Sequence, residues 1–186
     1  IGNICAEKNC KTLVKSKSMV TEEIHLNAYL EEKGIESIET DLGEYIQQLA
    51  GEAPYHIVTP AMHKSKEDIA RLFADKLGTD PSLTPEQLTL VARDILRAKY
   101  AEAEVGVTGA NFIIPDIGGI AVTENEGNGR LSCSMPKTHI VVVGIEKVIP
   151  SMTDLALFWP LLATFGTGQR ITSYNTIVTG PRQEGE

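Results

Sequence analysis

Short apolar runs alternate with longer stretches in which apolar residues recur at helical spacing. Runs at residues 12–15, 37–39, 56–58, 104–107, 112–114, 117–123, 140–144 and 171–178 have the length and boundaries of strands. Between them, residues 21–33 place Ile24, Ala28 and Leu30 on an apolar helix face, and Gly34 follows where a helix C-terminus favours glycine. A short helix is predicted over 42–49. Ser65 with Asp68 three residues on opens another, whose buried stripe is Ile69, Leu72, Phe73 and Leu77. Thr84, Pro85 and Gln87 form a capping box with proline at the first helical position, ahead of the stripe Leu88, Val91 and Ile95. A last helix follows Ser151, with Asp154 at the box position. The run Ile140, Val141, Val142 and Val143 has no polar alternation, which predicts a central strand covered on both faces. Strands alternating with helices imply βαβ units. The expectation is an α/β fold, a single open and mostly parallel sheet flanked by helices, forming one domain over residues 1–186.

Composition narrows the function. With 17 Lys and Arg against 25 Asp and Glu, the formal charge is −8, which disfavours nucleic acid or an anionic membrane as a general partner. Cys5, Cys10 and Cys133 make no C-x-x-C motif and no zinc spacing, so a reducing, cytoplasmic setting is expected. The longest charge-free stretch, residues 155–169, contains Pro160 and falls short of the roughly 18 apolar residues of a spanning helix; no membrane span is expected. The chain starts at Ile1 and stops at Glu186 in a charged run, and both ends read as the edges of a domain cut from a longer chain.

In open α/β sheets ligands bind beyond the carboxyl ends of the strands. Four turns there carry suitable groups. Lys15, Ser16, Lys17 and Ser18, between the first strand and its helix, combine hydroxyls and ammonium groups as an anion cradle would; the plain alternative is a solvated basic turn. Thr108, Gly109, Ala110 and Asn111 follow a strand, as a ligand turn or a simple one. In Glu124, Asn125, Glu126, Gly127, Asn128, Gly129 and Arg130, glycines and asparagines permit an anion nest with Arg130 as a fork donor, while the two acids weaken a phosphate reading. Asn128–Gly129 is equally a hairpin signal, and by base rate the hairpin is favoured. Thr179, Gly180, Pro181 and Arg182 close the last strand. No Walker loop or dinucleotide fingerprint is present. The histidines His25, His56, His63 and His139 form no metal spacing, and nearness in sequence does not make a catalytic dyad of Cys133 and His139. No catalytic residue is assignable.

Six segments, in order, carry a resemblance: Lys15 to Met19, Glu39 to Tyr45, Gly109 to Phe112, Asn125 to Arg130, Gly144 to Lys147 and Thr179 to Arg182. Together they resemble the LUD domain of the iron–sulfur subunit of bacterial lactate-utilisation systems. The resemblance implies a fold shared with phosphosugar isomerases, CoA transferases and formyltetrahydrofolate cyclo-ligases. It implies a part in oxidising L-lactate to pyruvate beside other subunits, with a small anionic ligand or a partner bound by this domain. It also implies two [4Fe–4S] clusters in a ferredoxin-like region beyond the segment ending at Arg182, and none on this chain. The rival readings are an autonomous isomerase-like or cyclo-ligase-like enzyme and a docking scaffold without a ligand. One departure is visible: Pro115, Asp116, Ile117, Gly118 and Gly119 stand where the family pattern has Ala–Glu–Thr–Gly–Thr/Ser.

Overall fold

A computed structural model describes residues 1–55, 59–124, 126–170 and 174–181. The predicted strand over 56–58 and the beginning of the last one, 171–173, lie outside these residues. Helix α1 (Gly2–Glu7) leads into β1 (Thr12–Lys15), followed by α2 (Met19–Glu23), α3 (Leu26–Glu32), β2 (Glu36–Glu39) and α4 (Leu42–Ala50). Next come α5 (Lys66–Leu77), α6 (Pro85–Glu102), β3 (Val105–Thr108), β4 (Phe112–Ile114) and β5 (Gly119–Glu124). The chain continues through α7 (Asn128–Ser134), β6 (Thr138–Val141), α8 (Leu155–Thr167) and β7 (Tyr174–Thr179).

The α/β class is as expected, with the strands divided between two sheets. Four form a parallel sheet in the order β2-β1-β3-β6, and three form an antiparallel sheet in the order β4-β5-β7. The chain passes from β1 to β2 on one side, then returns across β1 to place β3 on the other. That reversal makes the carboxyl ends of β1 and β3 the topological switch point of the sheet, where such folds open a crevice.

Both faces of the parallel sheet are covered. Val14 and Ile38 pack with Tyr45 and Ile46 of α4, Phe73 of α5 and Leu88, Ala92, Leu96 and Tyr100 of α6. On the other face Leu13, Val105 and Val107 meet Cys5 of α1, Cys10, and Leu26 and Leu30 of α3. The capping boxes at Ser65–Asp68 and Thr84–Gln87 are both formed, as the sequence pattern predicts. The small sheet has its own core, Ile114 and Ala121 with Ile149 and Leu155.

Three expectations are corrected. The predicted helix over 21–33 is broken at His25, whose left-handed backbone (φ +51°) ends α2 and starts α3. The run containing β6 stands at the edge of the parallel sheet, half-buried, because its strand pairing is with β3 on one side, while α7 packs across the sheet face over β3 and β6. The Asn128–Gly129 pair opens a helix, α7, and makes no hairpin. The Glu124 carboxylate accepts the backbone N–H of Gly129 at 2.6 Å and of Arg130 at 3.0 Å, satisfying amides that a helix start leaves without partners.

Candidate functional site at the carboxyl edge of the parallel sheet

A cavity of about 460 Å³ lies at the switch point, within the size range of small-molecule sites. It is lined by Ser16 to Val20 after β1, Asp41 before α4, and Gly109 to Asn111 after β3. Val122 to Glu124 of β5, Glu126, Asn128 and Gly129 form another wall, and Val142 to Gly144 with Lys147 complete it after β6. The turns after β1 and β3 are in near contact: a Cβ on Gly109 would stand 3.1 Å from Ser18 Oγ, so the absent side chain lets them meet. Asn111 ties this edge to the small sheet. Its N–H donates to Ala121 O at 2.9 Å, and its side-chain oxygen accepts Thr123 N–H at 2.7 Å.

The charges are mixed. Lys17 Nζ lies 3.4 Å from Glu44 Oε1, and Lys147 faces the cavity from the loop after β6. The acids are engaged by backbone. Asp41 accepts Gly43 N–H at 3.0 Å and so caps α4, as Glu124 caps α7. Glu126 accepts the N–H of Leu42, and its pKa is raised by burial and by the nearby Asp41 charge, against the pull of Lys17. The N-termini of α4 and α7 are therefore filled by the protein's own carboxylates, while the start of α2 at Ser18 has no side-chain cap.

Glu44 is the most perturbed acid of this cluster. Burial, then the hydrogen bond and charge of Asp41, push its pKa from 4.5 up to about 8, with Lys17 opposing. Folding takes up a proton at this group between those two values, so its contribution falls as pH rises through that interval and is lost above about 8. Glu44→Gln keeps the shape without the charge. In urea denaturation it is expected to match the wild type near pH 4, where both carry a neutral group, and to exceed it at pH 9. Parallel pH profiles for the two proteins would contradict this account.

Ser16, Lys17, Ser18, Asn111, Glu126, Asn128 and Gly129 are thus gathered around one cavity, with Gly127 (φ +82°) as the residue that caps α7. Lys15 is not among the lining residues. It is fully buried beneath the turn, with Nζ 2.8 Å from both Glu22 Oε1 and Glu39 Oε1 and 3.0 Å from Thr21 Oγ1. Burial alone would favour the neutral amine, but the carboxylates outweigh it and its pKa is raised. Thr108 turns away to bond His139 Nε2 at 2.8 Å. Arg130 lines a smaller neighbouring recess and donates to Thr176 Oγ1 at 3.2 Å. Thr179 ends β7, paired with Gly119. Asn125 and Arg182 lie outside the described residues.

Sequence reasoning passed over Asp41, Glu44 and Lys147 as site residues, although all three sit in segments that carried the family resemblance. The divergent Pro115–Gly119 turn fastens the approach to α8, because Asp116 Oδ2 accepts Met152 N–H at 3.1 Å. Cys133 Sγ donates to the Arg130 carbonyl while His139 is bonded to Thr108, so the two form no dyad.

An iron–sulfur centre does not fit the cysteines of this chain. Cys5 and Cys10 are buried in the apolar core, Cys10 Sγ donates to Thr12 O, and burial and neighbouring charge push the Cys10 thiol up to about 12, far from the thiolate a cluster needs. Among the described residues no three His, Cys, Asp or Glu side chains converge as metal ligands, and no helix is long and apolar enough to cross a membrane.

A family model described as LUD domain matches residues 1–186. The chain belongs to the LUD domain family. This LUD domain is 50% identical over 187 residues to the Bacillus velezensis protein named Lactate utilization protein B, and 49% identical to the Bacillus subtilis protein of that name. An Escherichia coli protein named Uncharacterized electron transport protein YkgF is 44% identical over 185 residues. Each alignment covers 100% of this chain but only 39% of the relative. No solved structure matches this chain.

Proposed function

We propose that this LUD domain is the ligand-recognition part of a lactate-utilisation protein that works beside other subunits in oxidising L-lactate to pyruvate. The relatives named Lactate utilization protein B, similar across all of this chain, carry that reading. The electrons pass through two [4Fe–4S] clusters in a region of the longer protein outside these 186 residues, a placement that the buried thiols here support. The ligand is a small organic acid with one carboxylate. Lys17 and Lys147 supply cations, Ser16 and Ser18 supply hydroxyls, and Met19, Val20, Val122, Val142 and Val143 supply apolar wall. A phosphate would meet Asp41, Glu124 and Glu126, which already occupy the starts of α4 and α7, and this speaks against the sugar-phosphate enzyme reading. A strain lacking the gene is expected to lose growth on L-lactate and keep growth on pyruvate, with the wild-type gene restoring it. Normal growth on L-lactate without the gene would overturn the reading.

A further inference from the structure

The charged side chains lining the cavity at the switch point are Asp41, Glu124 and Glu126 against Lys17 and Lys147. A further acid, Glu44, stands behind Lys17, with Oε1 3.4 Å from its Nζ. With every one of these groups ionised the cavity carries a surplus of negative charge, and a ligand carboxylate adds to it. An organic acid therefore enters favourably only if the cluster holds a proton.

The surroundings of Glu44 show where that proton sits. Glu44 is buried, and its Oε2 has no hydrogen-bond partner among the described residues. An ionised oxygen in that position bears its desolvation uncompensated. The same carboxyl is in hydrogen-bonding contact with Asp41, and two carboxyl groups share a hydrogen bond only when one of them is protonated. Asp41 Oδ1 already accepts Gly43 N–H at the start of α4, so Asp41 is the acceptor of the pair and Glu44 the donor. The separation of Lys17 from Glu44 agrees. It exceeds the roughly 2.7–2.9 Å of an ammonium on an ionised carboxylate, and the 2.8 Å that Lys15 keeps to Glu22 and Glu39. Helix α4 packs on β2 and α5, whose nearby charges are engaged elsewhere, Glu39 with Lys15 and Lys66 with Glu67. The charges that act on Glu44 are those of Asp41 and Lys17, and Glu126 stands beyond, close to both.

On the reading of this cavity as an organic-acid site, we propose that Glu44 gates it: the ligand carboxylate binds Lys17 while Glu44 shares a proton with Asp41, and ionised Glu44 competes with the ligand for that lysine. Glu44 does not line the cavity and acts through Lys17, so it is a positioning residue. The direction with pH follows. Burial and Asp41 hold the Glu44 carboxyl at about 8, so the gate is open below that value. Above it Glu44 ionises, draws Lys17 and repels the acid, which is itself a carboxylate throughout this range.

Calorimetric titration of the chain with L-lactate and with pyruvate, repeated from about pH 6.5 to about pH 9, tests the gate. Affinity is expected to stay level up to about pH 7 and to fall about tenfold by about pH 9, as suits one ionisation near 8. In buffers of different ionisation enthalpy, binding near pH 8.5 is expected to take up most of a proton per ligand, and near pH 6.5 almost none. Glu44→Gln keeps the neutral shape; it is expected to bind within about twofold of wild type near pH 7, to hold that affinity near pH 9 and to take up no proton. Asp41→Asn keeps an acceptor for Gly43 N–H and removes the charge that holds the proton on Glu44, so the fall is expected to begin at lower pH. Wild-type affinity indifferent to pH, or an equal fall in Glu44→Gln, would overturn the gate and leave the cavity standing as the ligand site. No saturable binding of either acid at any pH would overturn both.

Discussion

Replacing Lys15 by methionine is expected to remove about 3–5 kcal/mol of stability, the penalty for breaking a buried ion pair by taking away one member. Lys15 is completely shielded from solvent and Glu39 nearly so, and Lys15 and Glu39 are register partners across the β1–β2 pair. Taking away the ammonium leaves Glu39 buried beside Glu22, with Asn27 Nδ2 at 2.6 Å as the remaining donor to Glu39 Oε1. Adding Glu39→Gln to Lys15→Met removes the stranded charge and is expected to recover part of the loss. Urea denaturation of the wild type, both single variants and the double variant measures the coupling. A loss under about 1 kcal/mol for Lys15→Met would show that the network contributes little to the fold.

The second large effect is expected at Gly106, in the interior of the parallel sheet. A Cβ there would stand 1.8 Å from the Ser132 carbonyl oxygen and 3.1 Å from Pro136 Cγ. The first contact is with backbone, so no side-chain rotation relieves it, and α7 must move off β3. Gly106→Ala is expected to cost roughly 3 kcal/mol or more, a fall of about 6–12 °C in Tm for a chain of this length. Because α7 begins with Asn128 and Gly129 of the cavity wall, ligand affinity is expected to fall with it. Differential scanning calorimetry checks the first effect; a Tm within about 2 °C of wild type would contradict the packing described here.

These two positions also mark what was legible in the sequence. Capping boxes, strand positions and the α/β class came through, because side-chain caps and apolar periodicity are local signals. The turn at residues 16–18 was rightly placed at the end of β1, and strand alternation already set Lys15 on the same face as Leu13. Its fate depended on register: only the β1–β2 pairing brings Glu39 to it, and only the fold of α2 brings Thr21 and Glu22. The helix at Asn128 was hidden for a related reason. Asn–Gly favours a hairpin locally, but the Glu124 carboxylate caps the amides of Gly129 and Arg130, and Gly106 leaves room for the helix backbone. Asp41, Glu44 and Lys147 come from segments 24 to 130 residues away from Lys17, and no spacing rule links them. The break at His25 likewise has no glycine or proline to announce it.

Isothermal titration calorimetry of the 186-residue chain with L-lactate and with pyruvate, repeated with Lys17→Gln and Lys147→Gln, bears most directly on the cavity at the switch point. Saturable one-site binding of at least one of the two acids is expected, weakened about tenfold or more by each substitution, as suits the loss of a charged hydrogen-bond donor. Inorganic phosphate is expected to bind more weakly than either acid. No saturable heat with either acid, or affinity indifferent to both lysines, would contradict the assignment of this cavity as the ligand site.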